Sequence, residues 1–471
     1  MVSRKWSVLV FLGVSQFMVF LDVSIVNVAL PSIEEALDIR EGNLPYVVTA
    51  YGTLLGGCLL LGSRLADRFG RRTVLQCGLA LFGLASLIAG LAGDQVVLFV
   101  SRGVQGVGAA LMAPSALAIL TLTYREGDDR NKALGVWGGL TGLASVAGVV
   151  LGGVVTDLLD WRWVFFVNVP VTVLALVVAP RVLPESHGRA SSFDLVGSVM
   201  LTGGLLAVIS ALARAIEAGW GDQLVQVAGI IGVVVLVAFV GVETLVRDPL
   251  IPFEVFASRA LRTANIVTVL LLGVVVTLFF FVSLFLQQVL ELSPLATGFA
   301  YLPLALTVVL GAAIASGLTG RVSAKFVLLV GFASILVGTV LLRLAPPESS
   351  YWIDMLPAFV LLGTGMGIAF VCLQIAAQSD VSEERAGVAA GVIGTSQELG
   401  GSLGVAVAAT IAFSSIPVVD DTDTVAVRIA RTEVFHQAFV VAAVYIVVAA
   451  VVAVWQMPAL TPRAQDDGVS A

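Results

Sequence analysis

Residues 6–30 read WSVLVFLGVSQFMVFLDVSIVNVAL, an apolar run interrupted by a single charged residue, Asp22. An apolar run of about 20 residues or more can cross the hydrocarbon core of a bilayer as an α-helix. A carboxylate near the middle of such a helix costs about 2.5 to 3.5 kcal/mol on insertion scales, so an acid kept there usually has a function. The stretch therefore predicts a membrane helix that carries a functional acid.

The rest of the chain has the same character. Of its 471 residues 58% are hydrophobic and 12% are charged, and the mean hydropathy is +1.03. In soluble domains about a quarter of the residues are charged. The first run exceeds the apolar region of about 7 to 15 residues found in secretory signals, so we expect it to be retained. The composition indicates an all-α, multi-pass membrane protein surrounded by the lipid bilayer. The membrane in which we expect it is the cell inner (plasma) membrane.

Apolar runs of suitable length recur along the chain and predict fourteen transmembrane helices. We place them near residues 6–29, 45–64, 73–92, 96–122, 132–157, 163–183, 194–216, 224–246, 263–288, 296–319, 323–344, 353–378, 386–413 and 434–457. An even number of spans places both termini on one side of the membrane. Most of the 25 Lys and Arg residues fall on that side, so the positive-inside rule predicts that both termini are cytoplasmic.

Two polar, turn-rich segments divide the helices into groups: residues 184–192 (PESHGRASS) and residues 247–262. They predict an N-terminal six-helix bundle (1–183), an inserted two-helix segment with flanking loops (184–262) and a C-terminal six-helix bundle (263–471). Residues 62–72 (GSRLADRFGRR) and 315–325 (ASGLTGRVSAK) form a faint internal repeat that supports two related bundles. Residues 414–431 are predicted as the longest external loop.

Five motifs resemble those of a known family. They are LDVSIVNVALPSI (21–33), GSRLADRFGRRTV (62–74), SRGVQGVGAALMAPSALAI (101–119), DWRWVFFVNVPV (160–171) and FLQQVLELSPLATGFAYLP (285–303). In this order they resemble the major facilitator superfamily, in its fourteen-helix branch of drug:proton antiporters. The resemblance implies the major facilitator fold and the efflux of amphiphilic drugs or antibiotics by alternating access, driven by the proton gradient.

The chain departs from the branch at two places. The fifth-helix antiporter motif of the family carries a proline where residues 147–153 (AGVVLGG) have Val149, although Gly148, Gly152 and Gly153 still allow close helix packing. The missing proline keeps open the alternative of a proton-coupled symporter for a small metabolite. Glu398 stands where the family more often has a neutral or basic residue, so it is a second candidate ligand for a proton or a cation.

Asp22 and Arg102 are the predicted proton-coupling residues. Burial disfavours the charged form of a carboxyl group and a nearby cation favours it, so pairing and unpairing with Arg102 could couple proton release to substrate binding. The resemblance also assigns the fourth-helix arginine this role. The alternative is a static structural pair.

Asp67, Arg68 and Gly70 are the predicted gating residues, in the cytoplasmic turn between the second and third helices. In the family the matching aspartate meets the N-terminus of a helix of the other bundle, here the helix that starts near Ala386. A carboxylate at a helix N-terminus gains about 0.3 to 1 kcal/mol. The alternative is that this basic turn serves only to set the membrane topology.

The substrate cavity is predicted to be lined by Glu398, Gln16, Asn27, Gln105 and Gln287. A carboxylate there would attract a cationic group of a small amphiphilic substrate. The alternative is that the acid and the amides hydrogen-bond between neighbouring helices.

An enzyme is not expected, because the chain lacks HExxH, GxSxG, a cysteine cluster and a phosphate-binding lysine loop. No cofactor, no metal site and no nucleic-acid partner is predicted. A channel or receptor is disfavoured by the repeated halves and the midplane acid. The expected partners are protons and the substrate, and the expected unit is a monomer.

Overall fold

A computed structural model describes residues 2–124, 128–184, 194–246, 249, 258–319, 321–378, 386–414 and 424–458. The regular elements within these ranges are all helical, so the predicted all-α class is confirmed. Eleven helices in these ranges are long and apolar enough to cross a membrane.

Sixteen α-helices are described. The first half contains α1 (Val2–Leu37), α2 (Tyr46–Phe69), α3 (Arg71–Gly90), α4 (Gln95–Thr123), α5 (Asp128–Leu158), α6 (Trp163–Phe166) and α7 (Asn168–Val182). The inserted pair is α8 (Leu195–Ala218) and α9 (Gln223–Glu243). The second half contains α10 (Arg259–Gln288), α11 (Pro294–Ala300), α12 (Leu302–Leu318), α13 (Ala324–Leu344), α14 (Leu356–Gln378), α15 (Ala386–Phe413) and α16 (Thr424–Gln456). Since α6 continues into α7 and α11 into α12, these helices form the fourteen spans that the sequence predicted.

Polar residues and one glycine mark the helix ends. The Asp94 carboxylate accepts hydrogen bonds from the amides of Val96 and Val97 at 2.8 and 3.0 Å, which satisfies two free donors at the start of α4. Gly70 separates α2 from α3 with a φ of 96°, a backbone conformation that side-chain-bearing residues rarely adopt. These signals explain why most predicted boundaries lie close to the observed ones.

Helix α16 starts at Thr424, about three turns before its predicted start, so the loop predicted over residues 414–431 is wrong from residue 424 onward. Arg428, within the segment predicted as a loop, lies on this helix and forms an ion pair with Glu291 at 2.7 Å. The Thr432 hydroxyl donates to the Arg428 carbonyl at 2.8 Å. Charged residues exclude a segment from the hydrocarbon core but not from a helix that extends beyond it.

Each half packs mainly within itself. In the first half α4 packs against α2 and α3, and α1 packs against α5. In the second half α14 packs against α12 and α13, and α10 packs against α15 and α16. The halves meet where α2 contacts α15, α5 contacts α11 and α1 contacts α10.

The inserted pair lies beside the contact of α2 with α15. Helix α8 touches both: the Tyr46 hydroxyl of α2 donates to the Ser210 carbonyl at 3.4 Å, and the Thr410 hydroxyl of α15 donates to the Leu212 carbonyl at 3.0 Å. Helix α9 packs against α8 and is otherwise largely exposed. The boundaries of the three predicted domains remain a prediction.

Glycines of α5 allow two of these helix contacts. A Cβ atom on Gly148 would lie 2.8 Å from the Leu21 carbonyl oxygen of α1, and one on Gly152 would lie 2.7 Å from the Ile25 carbonyl oxygen. Gly153 faces Pro294 and Leu295 of α11 in the other half. The three glycines therefore lie where α5 approaches a neighbouring backbone most closely.

We expect Gly152→Ala to destabilise the protein by about 1 to 3 kcal/mol, because its new methyl group meets backbone that cannot move aside. The matched control is Gly241→Ala on α9, where nothing lies within 4 Å of the added atom. The measurement is the thermal unfolding midpoint of both variants in detergent. Equal midpoints for Gly152→Ala and the wild-type protein would contradict the packing role.

Candidate functional site

Asp22 lies in the centre of the first half and is fully buried. Its Oδ2 accepts a hydrogen bond from Arg102 Nη1 at 2.5 Å. Its Oδ1 accepts from Gln105 Nε2 at 2.7 Å and from Asn168 Nδ2 at 2.8 Å. Ser86 Oγ accepts a second hydrogen bond from Gln105 Nε2 at 2.9 Å. We refer to these five residues as the Asp22 cluster.

Arg102 is held on several sides. Besides Asp22, its Nη1 donates to Gln105 Oε1 at 2.7 Å, and its Nε donates to the Val47 carbonyl of α2 at 2.9 Å. Its guanidinium carbon lies 4.4 Å from the centroid of the Tyr51 ring, within the range of a cation–π interaction. A buried guanidinium cannot lose its charge, so these acceptors and the ring are what stabilise it.

The cluster unites four helices: α1 supplies Asp22, α3 supplies Ser86, α4 supplies Arg102 and Gln105, and α7 supplies Asn168. Both carboxylate oxygens are compensated by donors, as a charge removed from water requires. Donors from α4 and α7 therefore hold the Asp22 carboxylate in place from two directions.

Two members of the cluster were not identified from the sequence. Asn168 and Ser86 are a lone amide and a lone hydroxyl in apolar helices, where such groups are usually interhelical contacts. The motif at residues 160–171 contains Asn168, and this membership was the one sequence feature that could have identified the residue. Gln105, which the sequence placed in the substrate cavity, is fully buried and hydrogen-bonds within the Asp22 cluster.

Glu398 lies on α15 against α2 and is partly buried. A Cβ atom on Gly56 would lie 2.8 Å from Glu398 Cβ, so the acid sits at the contact between the two halves. Within the described part of the chain Glu398 has no hydrogen-bond or ion-pair partner. Its surroundings therefore differ sharply from those of Asp22.

The other amides predicted to line the cavity lie on α1 and α10. Gln16 is buried in α1, and Asn27 Nδ2 donates to the Val23 carbonyl of its own helix at 2.8 Å. Gln287 Nε2 of α10 donates to the Val28 carbonyl of α1 at 3.0 Å. Within the described residues none of these three side chains hydrogen-bonds to Glu398.

The predicted gating residues lie together at the turn between α2 and α3. Asp67 forms an ion pair with Arg71 at 3.3 Å, and both side chains are partly exposed. The guanidinium carbon of Arg68 lies 5.6 Å from the centroid of the Phe69 ring. The predicted partner of Asp67 is the start of α15, whose side chains up to residue 391 lie outside the described residues.

Comparisons with known proteins agree with this architecture. The profile of the Major Facilitator Superfamily matches residues 12–405. The chain is 40% identical over 413 residues to the puromycin resistance protein pur8 of Streptomyces alboniger, which covers 87% of this chain and 82% of that protein. It is 36% identical over 417 residues to the lincomycin resistance protein of Streptomyces lincolnensis, with coverages of 87% and 85%.

The crystal structure of the nucleoside transporter NupG superposes with a TM-score of 0.68 at 11% identity, over 96% of this chain and 100% of that one. At this identity the likeness shows the fold alone. The profile match and the two relatives extend over most of the sequence. The chain is a multi-pass membrane protein that belongs to the Major Facilitator Superfamily, as its five motifs predicted.

Proposed function

We propose that the protein exports small amphiphilic drugs or antibiotics in exchange for protons, by alternating access. The observation that carries the proposal is the Asp22 cluster, in which a fully buried carboxylate has an arginine and two amides as donors. Ionisable groups inside membrane segments usually mark a substrate or ion pathway. The proton gradient is the proposed driving force.

The names of the relatives support the substrate class. Two proteins that share most of this chain are named for resistance to puromycin and to lincomycin. Resistance through a membrane transporter is achieved by moving the antibiotic out of the cell. We infer that this chain also acts on antibiotic-like molecules and that it is a transporter and not an enzyme.

Proton binding at Asp22 changes what holds Arg102. The ionised acid attracts the guanidinium at 2.5 Å. When Asp22 is protonated, the attraction is lost and Arg102 keeps the Val47 carbonyl and Gln105 Oε1 as acceptors. Conformations that differ in this contact differ in proton affinity, so proton binding shifts the balance between them.

The proposed orientation places both termini in the cytoplasm, in the cell inner membrane. The turn between α2 and α3, with Arg64, Arg68, Arg71 and Arg72, is then cytoplasmic, in accordance with the positive-inside rule. The loop between α1 and α2 is external. We propose that Asp67, Arg68 and Gly70 control closure of the cytoplasmic side, with Asp67 exchanging Arg71 for the start of α15.

Glu398 is the proposed contact for a positively charged group of the substrate. Asp22 is compensated by the protein itself, whereas Glu398 has no cationic partner within the described residues. A carboxylate in this situation is neutralised by a proton or by a cation that enters from outside the protein. A substrate that carries an amine would supply that cation, and its amphiphilic body would suit the apolar surroundings.

Proton-coupled uptake of a small metabolite is the second candidate, favoured by Val149 in place of the motif proline. The backbone at Val149 still approaches α11 closely, since a Cβ atom on Gly298 would lie 2.8 Å from the Val149 carbonyl oxygen. The direction of proton movement distinguishes the two functions. In an exporter, substrate added at the cytoplasmic face drives protons from the external side to the cytoplasmic side. In an uptake symporter it has no such effect.

We expect Asp22→Asn to abolish substrate-evoked proton movement, because the amide cannot bind a proton near neutral pH. The measurement uses everted membrane vesicles with an acidified lumen, to which puromycin, lincomycin or a lipophilic cation is added. In wild-type vesicles the lumen becomes more alkaline as substrate exchanges for protons. At matched expression, vesicles with Asp22→Asn should show no substrate-evoked change.

The control is Asp222→Asn, outside the membrane spans. Asp222 caps α9 by accepting from the Leu224 amide at 3.0 Å, and asparagine caps a helix equally well. This variant should respond like the wild type. A full response in Asp22→Asn would show that the proton binds elsewhere, and a response lost in both variants would indicate general damage.

We expect Glu398→Gln to reduce transport of cationic substrates roughly tenfold, because a hydrogen bond to a charged group contributes about 1.5 to 3 kcal/mol. Transport of a neutral compound of similar size should change little. Efflux of both compounds is measured in the same cells, with Glu398→Asp as the variant that keeps the charge. Equal loss for cationic and neutral compounds would rule out charge recognition at Glu398.

A further inference from the structure

Pro31 leaves one backbone carbonyl of α1 without its helical donor. In a regular helix the carbonyl of residue 27 accepts from the amide of residue 31, but proline has no N–H. In the interior of a membrane protein a carbonyl without a donor is costly, because water cannot replace the lost hydrogen bond. The Asn27 carbonyl therefore needs a donor from outside α1.

The donor comes from the other half of the protein. Ser283 Oγ of α10 donates to the Asn27 carbonyl at 2.8 Å. One turn further along α10, Gln287 Nε2 donates to the Val28 carbonyl at 3.0 Å and lies 3.2 Å from Ser283 Oγ. We refer to these two carbonyls and two side chains as the Pro31 contact.

The Pro31 contact lies where the two halves approach each other along the C-terminal third of α1. In the same region Gln288 Nε2 of α10 donates to Glu34 Oε2 of α1 at 3.0 Å. Gly153 of α5 lies against Pro294 of α11, which follows directly after α10. This end of the protein is thus closed by contacts between α1 and α10 and between α5 and α11.

We infer that Ser283 and Gln287 are positioning residues that hold the external side closed by hydrogen-bonding to the carbonyls next to Pro31. The inference rests on the alternating access and the topology proposed above. In the outward-open state these hydrogen bonds are broken and water in the opened cavity satisfies the same carbonyls. Pro31 removes the donor within α1 that would compete for the Asn27 carbonyl, and the carbonyl therefore remains available for a donor in the opposite half.

The test is the distance between two spin labels on the external side, measured in the full-length protein by pulsed electron paramagnetic resonance. The labels are placed on cysteines at Val96 and Trp352, which are 62% and 73% exposed. Cys58, Cys77 and Cys372 are first replaced by alanine. No residue of the Pro31 contact carries a label, so the distances report the separation of the halves.

We expect Ser283→Ala to lower the ratio of two populations, that of molecules with the short, closed distance to that of molecules with the longer, open distance. The expected change is about fivefold, because it corresponds to the contribution of one ordinary hydrogen bond. Pro31→Ala should lower it as well, because the new amide supplies the Asn27 carbonyl from within α1. In the Pro31→Ala background the further effect of Ser283→Ala should be less than twofold, since the carbonyl no longer depends on Ser283.

The matched control is Ser334→Ala. Ser334 Oγ of α13 donates to the Leu361 carbonyl of α14 at 2.7 Å, a similar contact that lies within one half. This variant should leave the distances unchanged. Ser283→Thr keeps the hydroxyl group and should also keep the wild-type distances. If Ser283→Ala does not fold, Gln287→Leu removes the neighbouring donor and should produce a shift in the same direction.

Distances in Ser283→Ala that match those of Ser334→Ala would overturn the inference. Full additivity of Ser283→Ala and Pro31→Ala would overturn the role of the proline. These distances require neither substrate nor a proton gradient, so their outcome is separate from that of the vesicle assay. A shift in Ser283→Ala without proton exchange in wild-type vesicles would support the Pro31 contact and count against proton-coupled export.

Discussion

The compensation of one buried charge determines how the first half is assembled. Asp22 is removed from water, so α4 and α7 must bring their donors to it from two directions. Gly148 lets α5 approach the backbone of α1 at Leu21, directly beside the acid. Displacing any of these helices would leave a charge or a donor without its partner, and both are costly inside a membrane protein.

The two carboxylates differ in what neutralises them. Asp22 is surrounded by donors of its own half, whereas Glu398 lies between the halves without a protein cation among the described residues. The Tyr51 ring of α2 faces Arg102, and one turn further along α2 Gly56 lies against Glu398. Helix α2 therefore touches both the Asp22 cluster and the contact between the halves.

The fold was predictable because each apolar run ends in a recognisable signal, such as the cap at Asp94 or the turn at Gly70. The start of α16 was not, because hydropathy detects the membrane core and not the helix that continues beyond it. Within the site, Asp22 and Arg102 stood out as charges in apolar helices. Asn168 did not stand out, since its importance depends on which helix face meets α1, and that is fixed only by packing.

The separation of the Asp22 cluster along the chain has a consequence for biogenesis. Arg102 follows Asp22 by 80 residues and Asn168 follows it by 146. At a synthesis rate of about 5 to 20 residues per second, several seconds pass between the emergence of the acid and that of its first partner. During that interval the first helix carries its carboxyl group without the arginine and the amides that surround it in the folded protein. The Asp22 cluster can therefore form only after α4 and α7 have been synthesised, so the packing of the first half is completed late in translation.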